Sequence, residues 1–177
     1  DIDATLACLA ALGASWSREG EGSFPRRGLE FPAGEGGAAQ GGGILVRPGA
    51  RGPSGEADCR ESGSTLRFLS PVAAALGVKT RFDGHGRLPE RPLGPLISEM
   101  KAHGCAFDGE KLPFTLSGKL TGGQFHLPGD VSSQFITGLL MALPLVGGGR
   151  IRLTSPLESA GYVRMTVSAM ARFGVRV

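Results

Sequence analysis

A chain of 177 residues is long enough for one domain that buries about 70% of its unfolded surface. Hydrophobic residues make up 41%, yet no apolar run reaches the roughly 18 residues of a membrane span, so no membrane partner is expected. The 19 basic and 16 acidic residues leave a scattered charge of +3, too mild for a nucleic-acid partner but suited to a small anionic ligand.

Position 1 is Asp rather than an initiator Met, and no signal peptide precedes the first helical pattern. The chain is therefore expected to be a piece of something longer. Residues 1–12 predict a helix with Ile2, Leu6 and Leu9 inward and Gly13 as its stop. A strand begins over 14–17. Residues 19–43 are rich in Gly, Pro and charge, with Leu29-Glu30-Phe31 as a short strand. Ile44-Leu45-Val46 is a stronger strand, and 49–55 reads as a loop.

Ser62-Gly63-Ser64 then opens a helix carrying Leu66, Leu69, Val72, Ala73 and Leu76, ended by Gly77. Pro71 lies inside it and is expected to kink it. Gly63 either lets a ligand approach the backbone closely or serves as a flexible cap. Arg67 reads by default as a solvated side chain. A strand over 78–82 leads to a long polar loop, 83–92. Pro92 suits a first helical position, which puts Arg91 at the N-cap, where a cation opposes the helix dipole by about 0.3–1 kcal/mol. An Arg in that place suggests an anionic partner that it grips bidentately. Leu93, Leu96, Ile97 and Met100 face inward until Gly104, and short strands follow at 105–107, 114–116 and 124–127.

The stretch 127–143, LPGDVSSQFITGLLMAL, reads as a tight turn and an apolar helix with Phe135, Ile136, Leu139, Leu140 and Leu143 on one face. Ser132, Ser133 and Gln134 fall in its first turn. The N–H groups there have no partner within the helix and the end carries partial positive charge, so these side chains could cradle an anion. The competing reading, stronger on local grounds, is that Ser132 or Ser133 only caps the helix. A strand over 150–153 precedes a last helix, opened by Ser159-Ala160-Gly161-Tyr162, with Met165, Ala169 and Phe173 inward and Gly174 as its stop. Val175 begins a further strand.

A repeat shifts the balance toward ligand binding. Ser62 and Ser132 are 132 − 62 = 70 residues apart, and the same offset links Gly77 with Gly147 and the segment Met100–Gly104 with Met170–Gly174. Arg91-Pro92 falls opposite Gly161-Tyr162. Two copies of one two-helix unit of about 70 residues are therefore expected. With strands and helices alternating, and Gly between helix and strand at 13, 77, 104 and 174, the fold class is α/β with repeated units. The opening helix belongs to a first, truncated copy. The expected division is 1–57, 58–127 and 128–177.

Cys8, Cys59 and Cys105 form no CxxC pair and read as small buried hydrophobes in a reducing cytoplasm. Cys59 alone lies near a helix N-terminus, where a thiolate would be stabilised. His85, His103 and His126 show no ligand spacing, so neither metal nor cofactor is expected.

Four motifs occur in order: Cys59-Arg60-Glu61-Ser62-Gly63-Ser64-Thr65-Leu66-Arg67, Asp83-Gly84 through Arg91-Pro92-Leu93-Gly94, Leu127-Pro128-Gly129-Asp130-Val131-Ser132-Ser133-Gln134-Phe135, and Ser159-Ala160-Gly161-Tyr162. Together they resemble, from end to end, the 3-phosphoshikimate 1-carboxyvinyltransferase (EPSP synthase) family. The resemblance implies two lobes, each of three βαβαββ units in a pseudo-threefold arrangement, and this chain would be most of one lobe. It also implies a cytoplasmic transferase of the shikimate pathway, moving enolpyruvyl from phosphoenolpyruvate to the 5-hydroxyl of shikimate 3-phosphate. Ser132, Ser133 and Ser159 match the positions that hold the shikimate phosphate, and Tyr162 the aromatic residue at that site. Gln134 matches the amide between the two substrates. Gly63 and Arg91 match positions that bind phosphoenolpyruvate, and Arg67 an Arg of less direct role. Arg60 departs from the pattern, standing where relatives are expected to carry a small residue.

The acid–base carboxylates and further cationic clamps would lie in the other lobe, so the chain alone is expected to lack turnover. The sister family, UDP-N-acetylglucosamine enolpyruvyl transferase, is disfavoured because no Cys lies in 84–90 before Arg91-Pro92. A third reading is a non-catalytic anion-binding half-domain.

Overall fold

The computed structural model describes residues 1–19, 43–49 and 54–177; the strand expected at Leu29–Phe31 lies outside them. The first elements are α1 (Ile2–Ala11), β1 (Ser15–Glu19) and β2 (Gly43–Arg47). β1 and β2 form an antiparallel pair in which Trp16 faces Val46. Leu6 is buried in α1 as expected, and Leu9 is partly so. Ile2 is 64% exposed, contrary to expectation; the small Ala4 and Cys8 sit inside with Leu6 instead.

A strand–helix–strand–helix run follows: β3 (Ser54–Asp58), α2 (Gly63–Leu76), β4 (Lys79–Asp83) and α3 (Gly94–Ala102). Strands β5 (Cys105–Phe107) and β6 (Phe114–Gly118) complete a sheet of order β3-β4-β6-β5. Only the β3–β4 pair is parallel, and α2 is its crossover. The same run then recurs as β7 (Gln124–Leu127), α4 (Ser133–Ala142), β8 (Arg150–Leu153) and α5 (Ala160–Arg172), with β7 and β8 also parallel. The core joins both runs: Phe82, Leu96, Met100, Phe114, Phe125, Phe135 and Leu139 are fully buried in one cluster. No helix among the described residues is long and apolar enough to cross a membrane.

Local chemistry explains the helix ends. Ser62 caps α2 by accepting from the Thr65 N–H at 3.2 Å, and Ser132 caps α4 by accepting from the Gln134 N–H at 3.3 Å. A cap of this type is worth about 1 kcal/mol. The four glycines that follow helices, Gly13, Gly77, Gly104 and Gly174, all take positive φ, from 72° to 98°. Pro71 is buried inside α2, which continues unbroken to Leu76.

Four further expectations are corrected. Residues 54 and 55, expected in a loop, begin β3, because pairing with Lys79 and Thr80 overrides a Ser-Gly pair of poor strand propensity. Helix α3 starts at Gly94 rather than Pro92. Pro95 occupies its first turn, and the residue before Pro92 is driven into extended backbone, φ −74° and ψ 140° at Arg91. Leu93, Leu96, Ile97 and Met100 are nonetheless buried as expected. Met165, Ala169 and Phe173 do not face a core: Met165 is 66% and Phe173 70% exposed, and α5 has no buried residue. Its packing partner is α4, which touches only part of its circumference. Residues 175–177 form no strand.

Helices α2 and α4 pack directly on one another. Pro71 has no N–H to offer the Arg67 carbonyl four residues back, and Gly138 of α4 lies against that carbonyl. A Cβ at 138 would also stand 3.1 Å from Pro71 Cγ. The absent side chain lets the two helices, and hence their N-termini, lie close together.

Candidate functional site

The two capped N-termini lie at one end of the fold. In front of α4 an open cleft of about 1030 Å³ is lined by Ser64, Ser132, Ser133, Gln134, Ser159 and Tyr162 on its polar side. Phe68, Met141, Leu145, Met165 and Met170 line the apolar remainder. The five residues expected at the shikimate 3-phosphate site, Ser132, Ser133, Gln134, Ser159 and Tyr162, therefore line one space. Ser132 serves both readings: it caps α4 and also faces the cleft.

Ser159 reaches this place through an unusual backbone. It is the N-cap of α5 at φ 55° and ψ 35°, and its side chain makes no capping bond. The loop before it is tied down. Ser155 Oγ donates to Asp130 Oδ1 at 2.6 Å and accepts from the Gly129 N–H at 2.9 Å, while the Glu158 N–H donates to the Gly129 carbonyl at 3.0 Å. Asp130 and Ser155 thus clip the start of α5 to the turn before α4. Tyr162, one turn further on, is 64% exposed at the cleft wall.

Gly63, Arg67 and Arg91 do not line this cleft; they gather behind Gln134. Gly63 is the first residue of α2, and Arg67 lies one turn on, its side chain directed back over the N-terminus as helical rotamers require. A Cβ on Gly63 would stand 3.0 Å from both Arg67 Nη1 and Arg91 Nη1. A side chain there would press on two guanidinium groups, which would have to shift by a few tenths of an ångström, so glycine gives them room as well as opening the helix. Arg67 is only 7% exposed, correcting the solvated reading. Its Nη1 donates to Gln134 Oε1 at 2.7 Å and its Nη2 to the Pro92 carbonyl at 2.9 Å. The guanidinium carbon also lies 5.4 Å from the centre of the Phe135 ring.

Burial, and then the neighbouring Arg91 charge, lower the Arg67 pKa from its ordinary value. Among the described residues no carboxylate pairs with either cation; ion pairs elsewhere include Arg18–Asp3 and Lys101–Glu110. Two unneutralised guanidinium groups beside a helix N-terminus make a setting for an anion.

The cysteines are all buried. Cys8 and Cys59 face each other at 4.0 Å between sulfurs. The hydrogen bond to Cys8, followed by burial, pushes the Cys59 thiol far up, which corrects the expectation of a stabilised thiolate at that helix end. The Cys8 thiol is lowered by the same bond. Among the described residues no group of three His, Cys, Asp or Glu side chains could hold a metal ion.

The sequence model of EPSP synthase (3-phosphoshikimate 1-carboxyvinyltransferase) matches residues 45–177. The chain belongs to the EPSP synthase family. The 3-phosphoshikimate 1-carboxyvinyltransferase of Clostridium kluyveri is 49% identical over 122 residues, which are 67% of this chain and 29% of that protein. The enzyme of the same name from Methanocorpusculum labreanum is 46% identical over 124 residues, 68% of this chain and 29% of its own length. The chain therefore spans under a third of these EPSP synthase relatives. An EPSP synthase structure from Acinetobacter baumannii superposes with a TM-score of 0.63 at 20% identity, covering 88% of this chain and 33% of that one. This likeness shows the EPSP synthase-type α/β fold.

Sequence reasoning missed three features: the buried position of Arg67, Ser64 on the cleft wall, and the Asp130–Ser155 clip. The four-residue spacing from Gly63 to Arg67 was the available signal for the first.

Proposed function

We propose that this chain supplies the shikimate 3-phosphate site, and part of the phosphoenolpyruvate site, of an enzyme that transfers enolpyruvyl to the 5-hydroxyl of shikimate 3-phosphate and releases phosphate. The reading rests above all on one observation: Ser132, Ser133, Gln134, Ser159 and Tyr162, drawn from two helices, open into a single cleft. Hydroxyls and helix-end N–H groups there offer donors to a phosphate. Behind Gln134, Gly63 with Arg91 would hold the carboxylate or phosphate of phosphoenolpyruvate. Two polyanions held side by side repel, and the nearby guanidinium groups offset that repulsion while fixing their relative orientation.

No Asp, Glu, Lys, Arg or His lines the cleft among the described residues, so proton transfer to the reacting carbons would fall to groups beyond this lobe. We accordingly assign turnover to the complete enzyme, with the other lobe as this chain's partner and the cytoplasm as its place. The division at 1–57, 58–127 and 128–177 into one partial and two further units is part of the same reading, supported by the recurring strand–helix–strand–helix order.

The test is a titration of the chain with shikimate 3-phosphate, following the amides of Ser132, Ser133 and Ser159 by NMR, with shikimate as control. Saturable shifts that require the phosphate are expected. A folded chain whose amides stay unmoved would overturn the assignment of the shikimate half-site to this lobe.

A further inference from the structure

Gln134 lies where the two proposed substrates would meet, and its carboxamide has two chemically opposite ends. Which end faces the cleft decides whether that point of the site donates or accepts hydrogen bonds. The two ends of an amide are alike in shape, but here the neighbour decides. A guanidinium has donors and no acceptor. The group against Arg67 Nη1, 2.7 Å away, must therefore be the amide oxygen. The NH2 is left as the free end of a side chain that lines the cleft.

We infer that Arg67 is a positioning residue, which locks the Gln134 carboxamide with its oxygen on the guanidinium and its NH2 toward the cleft. The inference rests on the proposed place of Gln134 between the substrates. Its consequence is that Gln134 presents donors only, so ligand atoms there must be acceptors, such as phosphate or carboxylate oxygens.

Arg67 is itself held from several sides. Nη2 reaches the Pro92 carbonyl at 2.9 Å, the guanidinium carbon lies 5.4 Å from the Phe135 ring centre, and the bare Cα of Gly63 leaves room for Nη1. Arg67 Nε is buried without a hydrogen-bond partner among the described residues. An unpaired buried donor is costly, and its retention is explained if the side chain is aimed to serve Nη1 and Nη2. Lysine could not reproduce this, because one ammonium cannot span both acceptors in a fixed fork.

The test uses the whole 177-residue chain without ligand. The ¹⁵N order parameter of the Gln134 side-chain NH2 is measured in the parent, in Arg67→Met and in Arg67→Lys, with the backbone amide spectrum as a control for folding. The parent is expected near the rigid limit of about 0.85, Arg67→Met below about 0.6, and Arg67→Lys between them. A role confined to stability would not produce that ordering in folded variants. Should Arg67→Met fail to fold, the charge-conserving Arg67→Lys carries the comparison. An equally rigid NH2 in a folded Arg67 variant, or a mobile one in the parent, would overturn the inference. Because no ligand is present, this outcome is independent of whether shikimate 3-phosphate binds, which bears on the previous proposal alone.

Discussion

Two regions of the molecule share a local plan and differ in what covers them. In residues 54–118, Phe82 is the fourth residue of β4 and pairs with Ala57. In residues 124–177, Leu153 is the fourth residue of β8 and pairs with Leu127. Phe82 is fully buried, its ring 5.8 Å from that of Phe114 on β6, which occupies the second edge of β4. Leu153 is 37% exposed, and among the described residues β8 pairs with β7 alone. The helices repeat the contrast: α2 is buried along most of its length, whereas α5 is nowhere buried. An apolar pattern declares which face would be covered. It does not supply the cover.

The largest expected effect that tests this contrast is a paired truncation. Phe82→Ala should cost about 3–5 kcal/mol, as expected for a fully buried aromatic. Leu153→Ala should cost under about 1 kcal/mol, since little packing is lost there. Urea unfolding of both variants measures the difference, and equal costs would show that β8 is buried in solution after all.

The second prediction addresses the contact that joins the two regions. Gly138→Ala places a methyl against the Arg67 carbonyl and Pro71 Cγ. A loss of about 1–3 kcal/mol is expected from forcing packed helices apart. A variant as stable as the parent would mean that α2 and α4 can separate without cost, and the shared core would be looser than described.

The smallest effect concerns two non-glycine residues in left-handed backbone, Arg60 at φ 51° before α2 and Ser159 at φ 55° before α5. Arg60→Gly should gain about 1 kcal/mol by removing a Cβ clash, because the Arg60 side chain is exposed and, among the described residues, no side-chain hydrogen bond holds it in place. Ser159→Gly should gain a similar amount in thermal unfolding yet weaken shikimate 3-phosphate binding through the lost hydroxyl. Tighter binding by Ser159→Gly would remove Ser159 from the proposed site.

Much of the fold was legible because it is set by neighbours in sequence. Ser62 and Ser132 cap helices through contacts two or three residues away, and Gly13, Gly77, Gly104 and Gly174 stop them by backbone freedom alone. The candidate site was legible through its motifs, whose residues the fold then gathers. Features that depend on distant partners were not. β3 exists because β4 accepts it, and Arg91 lies outside α3 because Pro95, not Pro92, fills the first turn.

Residues near one another in the chain set most of the elements, their caps and the chemistry available at the helix ends. Long-range packing set the rest: Arg67 is buried against an amide 67 residues away, Gly63 lies against two guanidinium groups, and the apolar face of α5 lies open to the cleft. Propensity and capping act over one helical turn. Burial and orientation depend on surfaces brought together across the whole chain, which no local pattern encodes.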